Sequence, residues 1–245
     1  MQVEYLAALV LAIGVVAFLY SSVGHAGASG YIAVMTLASL SPTVIKPSAL
    51  VLNILVASIG SWQFYRAGHF RWKLFWPFAL FSIPLAFLGG SLDLPTHLFK
   101  LLVGIVLLLS AAYFFWRPNN DDIGPAPSLP VAMASGGVLG FFAGLTGTGG
   151  GIFLTPLLLV MRWARTKEAA ATSALFILVN SIAGLAGNAS SVGSIPALVW
   201  PLAISALLGG SAGSYFGSRR YPVATIKRLL AAVLVIAGLK LLLTA

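Results

Sequence analysis

The sequence predicts an all-α integral membrane protein, because it is far more apolar and far less charged than a soluble domain. Hydrophobic residues make up 59% of its 245 residues and charged residues only 8%, whereas soluble domains are about 25% charged. So large an apolar fraction exceeds what one soluble core can bury. The chain therefore predicts about 8–10 helical membrane segments.

Ten apolar segments can be marked off by glycine, proline and charged residues. Five of them come first, at about 4–23, 29–41, 47–65, 72–91 and 97–116. Five follow, at about 130–145, 149–161, 168–187, 196–217 and 223–243. Helix starts are indicated at Pro47, Thr96, Thr166 and Ser194. Residues 4–23 are predicted to be a retained helix rather than a signal peptide, because no cation precedes Lys46.

A polar linker divides the chain into two membrane repeats. The stretch RPNNDDIGPAPSLP (117–130) is rich in Pro, Asn and Asp, as linkers are. We therefore predict one membrane repeat at 1–117, a linker at 118–129 and a second repeat at 130–245, which together form one membrane domain.

The two halves resemble each other in sequence, and the resemblance keeps the order of the segments. KPSALVLNILVASIG (46–60) parallels KEAAATSALFILVNSIAG (167–184), and LPTHLFKLL (94–102) parallels YPVATIKRLL (221–230). Each half therefore predicts one repeat of about five helical segments.

The distribution of cations predicts that the repeats have inverted topology. Three basic loops, 66–73, 162–167 and 219–228, each correspond to a loop with one cation or none in the other half. Because positive loops lie in the cytoplasm, corresponding loops must lie on opposite sides of the membrane. This places the linker 117–130 in the cytoplasm and both termini outside, in a multi-pass protein of the cell (inner) membrane.

Two glycine-rich stretches predict broken helical hairpins whose tips lie within the membrane. The segments 29–41 and 149–161 have about 13 residues each, or roughly 20 Å of helix, and are too short to span. We predict a first tip at Gly24–Gly30 and a second tip at Thr146–Gly151. Irregular backbone is tolerated at membrane depth where it lines a protein cavity.

The predicted tips suit an anion, because each begins a new helix whose first N–H groups are unpaired and whose dipole is positive there. We expect the two helix N-termini to meet at mid-membrane and form an anion site without an arginine. Glycine lets a ligand approach this backbone, and the hydroxyl groups of Ser29, Thr146 and Thr148 add donors. The alternative is that the glycines only allow close helix packing, as expected at 88–90 and 208–210. The predicted substrate-binding residues are Gly24, His25, Gly27, Ala28, Ser29, Gly30, Asn53, Thr146, Gly147, Thr148, Gly149, Gly150, Gly151, Asn180 and Ser181.

His25 is the ionisable residue that the segments place deep in the membrane, where such residues are functional by default. It is our candidate for proton coupling, because the charge of histidine changes near physiological pH. The alternative is a neutral histidine bonded to a neighbouring carbonyl. Asn53, Asn180 and Ser181 either line the cavity or form bonds between helices.

Composition and motifs narrow the remaining partners. The chain has no cysteine, which excludes disulfides and thiolate metal sites, and we predict neither metal nor cofactor. GTGGG lacks the Lys-Ser/Thr of a phosphate-binding P-loop, and no basic groove for nucleic acid is present. The expected partners are a small anion and the lipid bilayer, and the sequence is compatible with a homo-oligomer.

Three stretches make the chain resemble the sulfite exporter TauE/SafE family: GLTGTGGGIFLTPLLL (144–159), KEAAATSALFILVNSIAG (167–184) and the weaker first-half copy SSVGHAGASGYIAVMTL (21–37). The resemblance covers nearly the whole chain, although HAGASG replaces the usual triple glycine. It implies export of sulfite, sulfonates or other small sulfur-containing anions, coupled to protons.

Two functions other than a transporter are suggested by parts of the sequence. GASG (27–30) fits a pattern of intramembrane serine proteases, but a serine nucleophile needs a histidine base within hydrogen-bond reach, usually on another segment. His25 lies in the same tip, His69 and His97 lie in loops at opposite faces, and the second copy has no serine. A passive anion channel is the stronger alternative, and sequence does not separate it from a carrier. We therefore predict a transporter and not an enzyme.

Overall fold

The computed structural model of the protein is built from helices joined by short connections. It describes residues 3–38, 40, 42–92, 101, 108, 111–112, 122–189 and 197–243. Within these ranges the regular structure is helical and no strand is present, which confirms the predicted all-α class. Most of the predicted segment 97–116 lies outside the described residues, as do the predicted helix starts at Thr96 and Ser194.

The helices of the two halves follow the same order of long and short elements. The first half contains α1 (Val3–Ser22), α2 (Ala28–Leu37), α3 (Pro42–Arg66) and α4 (Trp72–Gly90). The second contains α5 (Leu129–Thr146), α6 (Gly151–Val160), α7 (Thr166–Gly187), α8 (Val199–Tyr215) and α9 (Val223–Leu243). A π-helix at Phe216–Arg220 continues α8.

The start of α3 differs from the prediction. We expected this helix to begin at Pro47, but it begins at Pro42 and Pro47 lies inside it. Proline is well suited to the first turn of a helix because its missing N–H needs no partner there. Pro42 meets that condition, so the helix extends one turn further towards its N-terminus. The predicted start of α7 at Thr166 is confirmed.

Among the described residues, four helices are long and apolar enough to cross a membrane, by length and composition. They lie at Val44–Arg66, Trp72–Gly90, Leu129–Thr146 and Thr166–Gly187. The second helix of each half is short, since α2 and α6 have 10 residues each, or about 15 Å. Neither can span a bilayer of ordinary thickness. Helix α2 contacts both α1 and α3, whereas α6 packs chiefly against α7, the helix that follows it, so a hairpin of each short helix with the long helix before it stays a prediction.

The long helices of each half pack against long helices of the other half. Helix α1 of the first half packs along α8 of the second, and α4 of the first half packs along α5 of the second. Helices α3 and α7 pack against each other, and each also contacts the fourth helix of the opposite half. Two inverted repeats would make this reciprocal pattern, although the repeat itself remains a prediction.

Glycines lie at both of the long interfaces between the halves, α1 with α8 and α4 with α5. A Cβ atom at any of six glycines would overlap a backbone carbonyl of the facing helix. Such spacing of small residues by four lets membrane helices approach backbone to backbone. Packing is therefore the role of these glycines, which are Gly136, Gly140 and Gly144 on α5 against α4, and Gly209, Gly213 and Gly217 on α8 and the π-helix against α1.

Two lysines at the starts of α3 and α7 make matching contacts. Lys46 donates from Nζ to the carbonyl of Gly90 at the end of α4 over 3.2 Å. Lys167 donates to the carbonyl of Ser218 in the π-helix over 3.4 Å. Each lysine thus caps the C-terminal end of the fourth helix of its own half, where a cation is favoured by the helix dipole.

Candidate functional site

The first tip (Gly24–Gly30) is a non-helical break followed by the first turn of α2. Residues 23–27 separate α1 from α2, and Gly24 and Gly27 have φ angles of 82° and 110°. Residues other than glycine rarely adopt such angles. A Cβ atom on Gly24 would lie 2.5 Å from Cα of Ala170 in α7. The first tip therefore touches the second half of the chain directly.

The C-terminal part of the first tip faces α1 and α9. Ala28, Ser29 and Gly30 form the first turn of α2. The Ser29 hydroxyl donates to the hydroxyl of Tyr20 over 3.1 Å, and Nζ of Lys240 donates to the Ser29 carbonyl over 2.9 Å. The structure thus places the hydroxyl of Ser29 against α1, whereas we expected it to donate to an anion between the tips.

His25 joins the first tip to the second half of the chain. Its side chain is buried, and Nε2 lies 2.8 Å from Oγ1 of Thr155 in α6. Thr155 donates in turn to Oγ of Ser173 in α7 over 2.7 Å. The imidazole also interacts with the backbone of Gly151, but Nδ1 has no hydrogen bond of good geometry with any described group. His25 therefore ends a chain of hydroxyl groups between the tips.

The second tip (Thr146–Gly151) is a run of glycines that ends α5 and begins α6. Gly147, Gly149 and Gly150 have φ angles of 71°, 73° and 81°, so the turn depends on glycine at three positions. All three are buried. Gly151 is the first residue of α6, and the first N–H groups of a helix have no partner within it. The second tip therefore presents buried backbone donors at the positive end of the α6 dipole.

Two buried polar side chains lie directly against the second tip. The Asn53 amide donates from Nδ2 to the carbonyl of Thr148 and to Oγ of Ser181, both over 3.3 Å. A Cβ atom on Gly149 would lie 2.8 Å from Oγ of Ser181 and 3.0 Å from Nδ2 of Asn53. The structure thus brings together Asn53, Thr148, Gly149 and Ser181, all of which the sequence predicts as site residues.

The hydroxyl groups of the second tip form a small network of their own. Thr146 and Thr148 are half-buried, and their Oγ1 atoms lie 2.9 Å apart. Thr146 also donates to the carbonyl of Phe142 over 2.6 Å. This commits the Thr146 proton to its own helix, so Thr148 is the donor in the bond between the two hydroxyl groups.

Asn180 is separated from the other predicted site residues. Its Nδ2 donates to the carbonyl of Phe176 one turn earlier in α7, over 2.8 Å. Its Oδ1 is buried without a partner among the described residues. The described contacts do not join Asn180 to either tip, and its described hydrogen bond lies within α7 rather than between helices.

The two tips lie about one helical turn apart along α3. The first tip lines a small cavity with Ala57 and Gly60, whereas Gly149 of the second tip contacts Asn53. We expected the two helix N-termini to meet, but the start of α2 faces α1 and α9. The side chain of His25 makes the connection instead, because it reaches from the first tip to α6.

Sequence reasoning missed two residues that the structure places at the tips. Lys46 packs its side chain on the second tip, since a Cβ atom on Gly147 would lie 3.1 Å from Cγ of Lys46. Thr155 receives His25 although it lies 130 positions away along the chain. The only sequence signal for Lys46 is its position as a lone cation before an apolar segment, and Thr155 carries none.

Buried, glycine-rich breaks between paired apolar helices define the class of this protein. Membrane proteins tolerate irregular backbone at membrane depth only where it is buried in protein or lines a cavity, and transporters use such broken helices to build their sites. The protein is a polytopic membrane transporter.

The chain belongs to the sulfite exporter TauE/SafE family, whose family model matches residues 9–241. A "probable membrane transporter protein" of Sinorhizobium fredii is 39% identical over 241 residues, which cover 96% of this chain and 97% of that protein. A protein of the same description from Xylella fastidiosa (strain Temecula1) is 40% identical over 92 residues, or 37% of this chain and 34% of that protein. No solved structure matches the chain.

Proposed function

We propose that this transporter exports a small sulfur-containing anion, such as sulfite or an organosulfonate, and that the anion binds at the second tip. The observation that carries the proposal is the contact of Gly149 with both Asn53 and Ser181 at the buried N-terminus of α6. Backbone N–H groups, an amide and hydroxyl groups there can all donate to one anion.

The charges around the second tip favour an anion over a cation. The acidic side chains that the structure describes are Asp122 and Glu168. Asp122 is exposed, and Glu168 pairs with Arg71 at the surface over 3.2 Å. No described carboxylate therefore opposes an anion at the second tip, while Lys46 lies beside it. The choice of a sulfur-containing anion rests on the family.

His25 supplies the proton coupling in this proposal. It reaches from the first tip to Thr155 of α6, the helix whose N-terminus would bind the anion. A change of protonation at His25 therefore acts on the same element as the anion, which is the requirement for coupling the two. Alternating access would then move one bundle of helices against the other around the tips.

Flux in proteoliposomes tests the proposed function. We expect sulfite or a sulfonate to accumulate against its concentration gradient when a pH gradient is imposed, and to equilibrate without one. Sulfate, thiosulfate and carboxylates serve as the comparison set. Flux that only runs down the anion gradient, whatever the pH gradient, would show a passive channel. Accumulation of carboxylates alone would contradict the proposed substrate class.

The proposed topology places the linker in the cytoplasm and both termini outside. The structure joins the three basic loops at one face, because Arg71 pairs with Glu168 and Nε2 of His69 lies 3.0 Å from the carbonyl of Ser218. The positive-inside rule makes this face cytoplasmic. A reporter enzyme fused at Asn119 should therefore signal the cytoplasm and one at Ala245 the outside. The reverse pattern would contradict the orientation. Both fusion points lie outside the described residues.

A further inference from the structure

A small cavity lies beside the first tip, between α1, α3 and α7. Its volume is about 10 Å³, which is close to the minimum that holds one water molecule. Most of its lining is apolar, including Ala57 of α3 and Ala174 of α7. Two lining residues carry polar side chains, Ser21 at the end of α1 and His25.

The hydrogen bonds of His25 determine which of its ring nitrogens carries the proton. Thr155 gives its single hydroxyl proton to Ser173, so its oxygen can only accept from the imidazole. Nε2 of His25, 2.8 Å away, must therefore be the protonated nitrogen of a neutral ring. Nδ1 is then an acceptor, and it lacks a donor of good geometry among the described groups.

The Ser21 hydroxyl lacks a partner in the same place. The residue is 3% exposed, and its Oγ makes no hydrogen bond within the part of the chain that the structure describes. A buried hydroxyl without a partner is costly. Ser21 and His25 therefore line one cavity, and each has a buried polar side-chain atom without a partner among the described residues.

We propose that this cavity binds a single water molecule, which accepts a hydrogen bond from Ser21 and donates one to Nδ1 of His25. Buried waters typically make two to four hydrogen bonds to polar groups that would otherwise be unsatisfied. One water satisfies both the Ser21 hydroxyl and Nδ1, which no described side chain does. The site is separate from the anion site, which lies at the second tip.

The water gives His25 a route for protons from the side of α1. A proton that arrives through the water is taken up by Nδ1, and the resulting imidazolium donates from Nδ1 to the water and from Nε2 to Thr155. The ring gains one proton and one positive charge, and no other bond changes. This consequence rests on the proposed proton role of His25, whereas the water site itself does not.

The groups that surround His25 on this route are aromatic, hydroxyl-bearing or apolar. Tyr20 on α1 has its ring centre 6.4 Å from that of the imidazole, and Thr155 and Ser173 approach from α6 and α7. From α3 the cavity is lined by Val56, Ala57 and Gly60. Apart from His25 itself, no acidic or basic side chain is among the residues that line the cavity or among the described hydrogen-bond partners of His25.

Solid-state NMR of protein with ¹⁵N-labelled histidine in bilayers tests the water site without any transport. We expect the Nδ1 signal of His25 to be that of a non-protonated nitrogen and to receive magnetisation from water. The variant His25→Gln assigns the signal. An Nδ1 signal of the protonated type, as expected if Nδ1 donates to the Gly151 carbonyl, would overturn the proposal.

Two variants should remove the water by different means. Ser21→Ala deletes the hydroxyl that donates to the water, and Gly60→Ala adds a methyl group to a residue that lines the cavity, with Cβ of Ser214 as its nearest neighbour at 3.9 Å. Both should lose the transfer from water to His25. The control Ser58→Ala alters an exposed hydroxyl of α3 that bonds only to its own helix, and it should keep the transfer. Transfer that persists in both cavity variants would also overturn the proposal.

The NMR result and the proposed function can fail independently. Sulfite binding to the same variants, measured by calorimetry, reports on the second tip and should stay at the wild-type level in Gly60→Ala. A water signal without sulfite binding would support the water site and contradict the proposed substrate. Sulfite binding without a water signal would support the proposed substrate and contradict the water site.

Discussion

Alanine at Gly149 is expected to weaken sulfite binding at least about tenfold, or by about 1.4 kcal/mol. The added methyl group would lie 2.8 Å from Oγ of Ser181 and 3.0 Å from Nδ2 of Asn53. Both donors must shift to make room, and the space that an anion needs beside the backbone is filled. Calorimetric titration of the purified protein with sulfite measures the effect.

Alanine at Gly150 is the matched control, because the backbone cost of the two substitutions is similar. The φ angles of Gly149 and Gly150 are 73° and 81°, and a left-handed conformation costs a non-glycine residue about 1–2 kcal/mol. At Gly150 the atoms nearest to the methyl group belong to Phe176 and Ala143, which are apolar. We expect Gly150→Ala to unfold at a temperature similar to Gly149→Ala while it keeps most of its sulfite binding. Equal loss of binding in both variants would contradict a specific role of Gly149 in the anion site.

The two short helices could be predicted from sequence because their signals are local. A segment of about 13 apolar residues cannot span a bilayer, and the glycines before it indicate where the helix breaks. The structure contains both short helices, α2 and α6. Their bounds could not be predicted to the residue, because the first turn of α2 includes Ala28, Ser29 and Gly30, which the sequence assigns to the first tip.

The two roles of glycine could not be separated from sequence. Gly144 and Gly149 belong to the same glycine-rich stretch, but a Cβ atom on Gly144 would overlap the backbone of Ala86, whereas Gly149 has a positive φ and contacts Asn53. The difference lies in what each residue faces in the folded protein. Local sequence carries no information on the facing helix, so packing and site glycines look alike along the chain.

The partners of His25 could not be predicted from local sequence patterns either. Thr155 lies 130 positions from His25, in a helix of the other half whose sequence is simply apolar. The contact depends on how α6 packs against the first tip in the folded protein. Sequence analysis identified His25 as exceptional because of its depth, but not the hydroxyl chain of Thr155 and Ser173 that receives it.

Glutamine at His25 is expected to abolish the flux of sulfite driven by a pH gradient, while sulfite binding and exchange down a gradient persist. The amide of glutamine can still donate to Oγ1 of Thr155, so the contact between the first tip and α6 is kept. It has no group that titrates near neutral pH, so the coupling to protons is lost. His25→Ala should lose the same driven flux and, because it also leaves Thr155 without its partner, should be less stable as well.

Two further variants separate proton coupling at His25 from a structural role. His69→Gln changes a histidine that bonds the carbonyl of Ser218 at the basic face, and it should keep driven flux. Thr155→Val removes the acceptor of Nε2 but leaves the imidazole able to titrate, so driven flux should be reduced rather than abolished. Wild-type accumulation by His25→Gln under a pH gradient would exclude His25 as the proton-coupling residue. In that case the buried imidazole serves only to join the first tip to α6, because the glutamine amide preserves that contact and nothing else.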